Sequence, residues 1–217
     1  MKTYSVKEAY VTLQGEGAQT GRAAVFLRFA GCNLWSGLER DRDTAVCKFC
    51  DTDFVGTNGV NGGKFRGPEA LVDHVSRLWQ SEGRMAGEEA YIVCTGGEPL
   101  MQLDEPLIDA FHAAGFRVGV ETNGTLEAPA SLDWICVSPK ANAEIVQISG
   151  NELKLVYPQS EAEAQPECFE TLQFEHFFLQ PKDDNRQADN IQAAAAYCMK
   201  HPKWRLSLQT HKLIGLP

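Results

Sequence analysis

Seven short apolar runs, each halted by glycine, proline or small polar residues, constrain the fold of this chain more than any other feature. They are AAVFLRF (23–29), AYIVC (90–94), RVGV (117–120), WICV (134–137), ELKLVY (152–157), HFFL (176–179) and RLSL (205–208). Runs that are mostly apolar on both sides read as strands buried on both faces. Helical spacing lies between several of them, at 69–79, at 105–114 ended by Gly115, and at 188–200 ended before Pro202. Strands joined by helices predict a parallel α/β sheet. About six βα-like units in so short a chain make it a shortened, open (partial) TIM-type βα barrel. One domain spanning 1–217 is expected, since 43% hydrophobic residues in 217 suffice for one sizeable core. Some connections are too short for helices. Residues 55–67, with five glycines and two asparagines, predict an exposed loop.

The chemistry-bearing residues follow the strands. AGC comes after FLRF, TGGEP after AYIVC, ETNGT after RVGV, SPK after WICV, QPKD after HFFL and QTHK after RLSL. In parallel βα architectures the carboxyl ends of the strands converge on one face, where ligands bind. A single composite site is implied.

The formal charge of -9, with basic residues scattered singly (Arg22, Arg28, Lys64, Lys140, Lys154), excludes the footprint of a nucleic-acid binder and favours a small-molecule ligand. Residues 1–17 hold no uninterrupted apolar stretch of the signal-peptide kind. No window approaches the roughly 18 apolar residues of a membrane span, so a cytoplasmic protein without membrane contact is expected. In that reducing compartment an odd set of seven cysteines points to metal binding or catalysis rather than disulfides. Cys94, Cys136, Cys168 and Cys198 read as small packed residues. Cys32, Cys47 and Cys50 leave three readings open: a structural zinc site lacking its fourth ligand, a redox pair, or an iron-sulfur cube with one open iron.

Three cysteines after the first strand, with Phe49 before the last, and a later TGGEP resemble the radical S-adenosylmethionine enzymes. The usual spacing there is C-x3-C-x2-C, and this chain departs from it with C-x14-C-x2-C. Ligands need only meet in space, so the longer spacer is an insertion with a modest cost in loop closure. Within that superfamily LQGEG (13–17), RFAGCNLW (28–35), CDTDF (50–54), TGGEP (95–99), ETNGT (121–125), SPK (138–140) and QTHK (209–212) are similar to the 7-carboxy-7-deazaguanine synthase family, some of whose members carry the same long spacer. The matched motifs run from residue 13 to the C-terminus.

The resemblance implies that Cys32, Cys47 and Cys50, in a cluster loop over 32–50, hold a 4Fe-4S cluster. S-adenosyl-L-methionine chelates its open iron and is cleaved to methionine and a 5'-deoxyadenosyl radical. Implied contacts to this cofactor are Phe49, Cys50, Asp51, Gly97, Glu98, Ser138, Pro139, Lys140, Gln180, Pro181, Lys182 and Asp183, and Thr52 contacts Mg2+. The implied substrate is 6-carboxy-5,6,7,8-tetrahydropterin. Arg28 faces its carboxylate, Glu16 and Glu121 its N–H donors, and Leu13, Gln14, Gly15, Thr95, Asn123 and His211 supply further contacts. The segment 205–217 completes this site, with the terminal carboxylate of Pro217 reaching the pterin. A catalytic use of the cofactor, a place in queuosine biosynthesis, a flavodoxin-like electron donor and a homodimer also follow from the resemblance. A glycyl-radical activase leaves ETNGT, LQGEG and QTHK unexplained, and a zinc-stabilised binding module is the reading from a different class. Metal analysis of anaerobically purified protein separates these readings: iron with sulfide is expected, and zinc without either excludes the enzyme.

Overall fold

The computed structural model of the chain describes residues 1–81, 83 and 90–217. Its strands are β1 (Thr3–Leu13), β2 (Ala23–Phe29), β3 (Gly63–Arg66), β4 (Tyr91–Gly96), β5 (Arg117–Thr122), β6 (Trp134–Val137), β7 (Ser149–Tyr157), β8 (Gln173–Pro181) and β9 (Trp204–Leu206). They form one open sheet in the order β3-β1-β2-β4-β5-β6-β7-β8-β9. From β2 to β9 every neighbouring pair is parallel. The helices are α1 (Gly67–Ser81), α2 (Glu105–Ala113), α3 (Gln187–Lys200) and the short α4 (Thr210–Leu213).

All seven apolar runs contribute strands, RLSL only through Arg205 and Leu206, and the three helical spacings are helices. Two expectations need correction. The sheet is not wholly parallel, because β1 runs antiparallel to both β2 and β3. TYSVKEAYVTL hides its strand character behind Lys7 and Glu8, where a register shift between Val6 and Glu8 breaks strict alternation. The glycine-rich segment 55–67 is also not loop throughout. Within it GKFR, residues 63–66, is β3 and Gly67 opens α1, and the ladder with Thr3, Tyr4, Ser5 and Val6 supplies what local propensity does not.

The helices cover one face. Leu71 and Val75 of α1, with Leu107, Ile108 and Phe111 of α2, pack on Leu27, Phe29, Ile92, Cys94, Val118 and Val120. Ala194 of α3 packs on Leu153, Leu155, Phe177, Leu179 and Trp204. Side chains alternate across a pleated strand. The residues between these core positions, Phe26, Arg28, Thr95, Glu121, Lys154 and Gln180, therefore point to the opposite face, where they line a cavity.

Asp104 starts α2, accepting from the Leu107 N–H at 3.2 Å, and ties the helix to β1 through Lys2 Nζ (2.7 Å) and Tyr4 Oη (2.8 Å). Burial alone would raise its carboxyl, but the Lys2 and Tyr4 donors hold it below the usual range. Its stabilising effect is present above the unfolded pKa of about 3.9 and lost as pH falls through the lower folded value. Asp104→Ala is therefore expected to cost about 1 kcal/mol at pH 7 and less at pH 3, measured by urea unfolding at both.

Candidate active site

The cavity, about 460 Å³, lies at the carboxyl ends of the parallel strands. At one end are Cys47, Phe49, Cys50 and Asp51 from the loop after β2, Thr95, Gly96 and Gly97 closing β4, Ser138 and Lys140 after β6, and Gln180, Pro181, Lys182 and Asp183 at the end of β8. The Cys47 thiol donates a hydrogen bond to Cys50, which draws the Cys50 thiol below its ordinary value and pushes Cys47 up. Lys140 Nζ donates to the Ser138 carbonyl and hydroxyl, both at 2.7 Å. Burial lowers its pKa, and negative charge on Cys47 and Cys50 works against that effect. SPK and the C-x-x-C turn, far apart in sequence, thus share one electrostatic environment.

Cys32 stands just behind this wall. It does not line the cavity, but Gly97 is packed so closely on it that an added Cβ would lie 2.6 Å from Cys32 Cβ and 2.3 Å from the Gly31 oxygen. Glycine is required there because the cluster loop and the end of β4 are in contact. Burial raises the Cys32 thiol, with smaller contributions from the charges of Glu98 and Cys50. Glu98 and Pro139 likewise do not line the cavity. Glu98 is fully buried, and its oxygens accept from Leu100 N–H (2.9 Å), Thr122 Oγ1 (2.8 Å) and Asn123 N–H (2.8 Å). Its N–H donates to the Gly31 carbonyl (2.9 Å). Glu98 is an anchor joining the ends of β4 and β5 to the loop after β2. Asn123 extends the same network to Asn33 (3.0 Å).

The other end of the cavity is organised by a buried ammonium. Lys154 of β7 donates to Glu16 Oε2 (2.6 Å) and Glu121 Oε2 (2.7 Å). Gln14 donates to Glu121 Oε1 (3.0 Å), and Gln209 to Glu16 Oε1 (2.9 Å). Burial would raise the Glu16 carboxyl, but the Lys154 ammonium overrides it and holds the group at about 2. An ionised Glu16 is thereby presented to the cavity at neutral pH, with the Glu121 carboxyl group fixed beside it by the same ammonium. Glu152, on the same face of β7, accepts from the Ala18 N–H (2.8 Å) and seats the loop that carries Glu16.

Arg28 also lines the cavity, held by Glu8 Oε1 (2.8 Å) and Tyr10 Oη (3.3 Å) from β1. Leu13, Thr52, Asn123, His211 and Pro217 complete the wall, Pro217 accepting from Thr12 Oγ1 at 3.2 Å. Burial pushes the His211 imidazole below its ordinary value, against the pull of the Glu16 charge. Gly15 lies outside the lining, yet His211 is stacked on it so closely that an added Cβ would overlap the imidazole, and its carbonyl accepts from the Thr210 N–H (2.9 Å). Gly15 therefore seats α4 against the cavity.

Lys154, Glu8, Tyr10, Phe26 and Val156 line the cavity without having been assigned to the site in sequence, and Asp53, Gln209 and Lys212 line it from the CDTDF and QTHK motifs. A signal for Lys154 existed: in ELKLVY, two charges two residues apart occupy one face of an otherwise apolar strand. Glu8 and Tyr10 lacked one, because β1 itself was hidden.

No protein-family profile matches the chain. It is 60% identical over 215 residues to the 7-carboxy-7-deazaguanine synthase of Caulobacter vibrioides, covering 99% of this chain and 100% of that one. It is 56% identical over 216 residues to the protein of that name from Burkholderia multivorans, covering 99% and 100%. Its fold is similar to the crystal structure of QueE from Escherichia coli, with a TM-score of 0.70, 27% identity, and 95% and 93% of the two chains covered. An open βα barrel with a polar cavity at the strand ends and full-length kinship to synthases is that of an enzyme. The chain belongs to the 7-carboxy-7-deazaguanine synthase family. Among the described residues no helix is long and apolar enough to cross a membrane.

Lys154→Met would leave the half-buried Glu16 and Glu121 without their cation. The loss is expected to be about 3–5 kcal/mol at neutral pH. Without the ammonium, burial raises the Glu16 carboxyl above the unfolded value of about 4.3, so the deficit grows as pH rises through that range and shrinks below it. Urea unfolding of both proteins at pH 5 and pH 8 checks the sign.

Proposed function

We propose that the chain catalyses the reaction for which its relatives are named, as a carbon-nitrogen lyase that contracts 6-carboxy-5,6,7,8-tetrahydropterin to 7-carboxy-7-deazaguanine with loss of ammonia. The observation that carries this reading is one cavity with a thiol-and-lysine end and a carboxylate-and-arginine end. LQGEG, ETNGT and QTHK, which an activase would leave idle, all contribute to it or seat it.

Cys32, Cys47 and Cys50 would hold the 4Fe-4S cluster, and the adjoining wall S-adenosyl-L-methionine. The donor set fits: three thiols, with the Lys140 ammonium favouring the charged form of Cys47 and Cys50. A single zinc ion with bonds of about 2.3 Å would draw three sulfurs to within about 4 Å of one another. Among the described residues, the group of three ligand-type side chains whose donor atoms all lie within 4.8 Å is Glu121, Cys136 and Glu152, not the three cysteines. The Lys154 ammonium already serves that group. The three sulfurs therefore do not all lie where one zinc ion would hold them. When bound, cluster and cofactor supply the one-electron chemistry that takes a hydrogen atom from the substrate.

The chain's own residues bind and orient. Gly96 and Gly97 bare the backbone of β4 to a cofactor amino group, Ser138 and Lys140 face its ribose and carboxylate, and Phe49 and Asp51 its adenine. Lys182 sits 5.7 Å from the centre of the Phe49 ring, joining the β8 wall to the C-x-x-C turn. Across the cavity Glu16 and Glu121, held in place by Lys154, accept from the N–H donors of the pterin edge. Arg28, aimed by Glu8 and Tyr10, pairs with the substrate carboxylate. Phe26, Tyr10 and Val156 add apolar surface to the lining. Thr52, between Asp51 and Asp53 on the lining, offers the hard oxygen that Mg2+ takes.

Anaerobic incubation with reductant, S-adenosyl-L-methionine and the tetrahydropterin is expected to yield 7-carboxy-7-deazaguanine by mass spectrometry, and Cys32→Ala to yield none. Glu121→Gln is expected to raise the substrate KM by about tenfold or more, since one charged acceptor is lost. Absence of product from wild-type protein with its full iron complement would overturn the assignment.

A further inference from the structure

The segment 33–46 that separates Cys32 from Cys47 is folded back on itself. Trp35 is buried edge-on to Phe54 (5.6 Å, 88°), and the Leu34 carbonyl accepts from the Val46 N–H (3.1 Å) and the Cys47 N–H (3.5 Å). The ends of the segment are thus joined, and its length adds little slack at Cys47. Its charged run is a 3-10 turn, Glu39–Thr44, fastened by Ser36 Oγ donating to Asp41 (2.6 Å).

Arg42 reaches from this turn into the metal-binding loop. Its guanidinium lies over the Trp35 ring at 4.2 Å, and its Nε donates to both Glu39 oxygens at 2.8 Å. Nη1 donates to the carbonyls of Lys48 (2.8 Å) and Cys50 (3.1 Å). These carbonyls belong to the short turn that carries two of the three thiols. Stacking on one side and a carboxylate on the other fix the planar fork before it meets them, so little rotamer freedom remains to be lost. Groups that hold metal ligands from behind set ligand orientation, and nearby charge and hydrogen bonding set cluster potentials.

We propose that Arg42 is a positioning residue that holds the Cys47–Cys50 turn in its ligand-presenting form. Segment 33–46 is then a working part of the cluster loop rather than an insertion the cluster tolerates. A cation attached to the carbonyl of a ligand residue also biases the cluster toward reduction. The cluster part of this proposal rests on the function proposed above; the turn itself is independent of it.

The test compares Arg42→Met and Arg42→Lys in the full chain with wild type and with Arg40→Met. Arg40 has the same charge two residues away, but it is 79% exposed and only 3.7 Å from Asp41. Hydrogen exchange over residues 47–52 is measured in cluster-free protein. Iron and sulfide per chain, the electron paramagnetic resonance spectrum and the midpoint potential are measured after anaerobic reconstitution. In Arg42→Met, exchange is expected to quicken about tenfold, the scale of losing a charged hydrogen bond, with lower occupancy, a broadened spectrum and a lower potential. Arg42→Lys, which keeps the charge without the fork, should recover the potential but not the protection, and Arg40→Met should match wild type. If Arg42→Met does not fold, Arg42→Lys carries the exchange comparison. Wild-type exchange and spectra in the Arg42 variants would overturn the proposal. Failure of the wild type to take up iron and sulfide would instead overturn the cluster reading, with the exchange result still deciding the role of Arg42 in the turn.

Discussion

The pleat of the parallel strands governs where every group at the site stands. On β7, Leu153 and Leu155 turn toward α3 while Glu152, Lys154 and Val156 turn away from it. On β2, Leu27 and Phe29 join the core while Phe26 and Arg28 face the cavity. Slipping a strand by one residue would exchange these faces, putting Lys154 among leucines and leucines into the cavity. Core packing and site geometry are consequently two results of one register. Because seven strands run the same way, their carboxyl ends and the loops that follow them meet above the open face.

Within that frame the site is set by buried charge. Lys154 costs desolvation energy that its two hydrogen-bonded carboxylate partners, with the nearby Glu152, offset. What the arrangement secures is geometry: Glu16 from the loop after β1 and Glu121 from β5 are fixed relative to each other through a group on a third strand. Glu98 works similarly with neutral donors, joining β4, β5 and the loop after β2 through four hydrogen bonds made by its side chain and N–H. Arg42 does the same for the C-x-x-C turn from outside the sheet. In each case one polar residue holds segments that chain connectivity leaves far apart.

Much of this was legible beforehand. Continuous apolar runs with polar punctuation identified seven strands, three helices and the side of the sheet that carries the site. TGGEP, SPK and the C-x-x-C pair do surround one cavity. The antiparallel β1 was missed because Lys7 and Glu8 interrupt its pattern, and β3 because glycine-rich sequence has no strand preference of its own. Glu98 looked like a ligand contact. A carboxylate beside two glycines at a strand end reads the same whether it faces a ligand or caps two strands from within, and here its oxygens accept from Leu100, Thr122 and Asn123.

The sequence by itself determined the layer order, since apolar periodicity responds only to which faces are buried. It also determined the chemical inventory: three thiols, the strand-end carboxylates, and Arg28 and Lys140. The tertiary structure decided the pairings. Lys154 meets Glu16 and Glu121 across 138 and 33 residues of chain, Gln209 meets Glu16 across 193, and Arg42 folds back onto the Cys47–Cys50 turn. Short-range patterns cannot encode such contacts, because they arise only when the strands have taken their neighbours and a charge left in the interior has to find its partner.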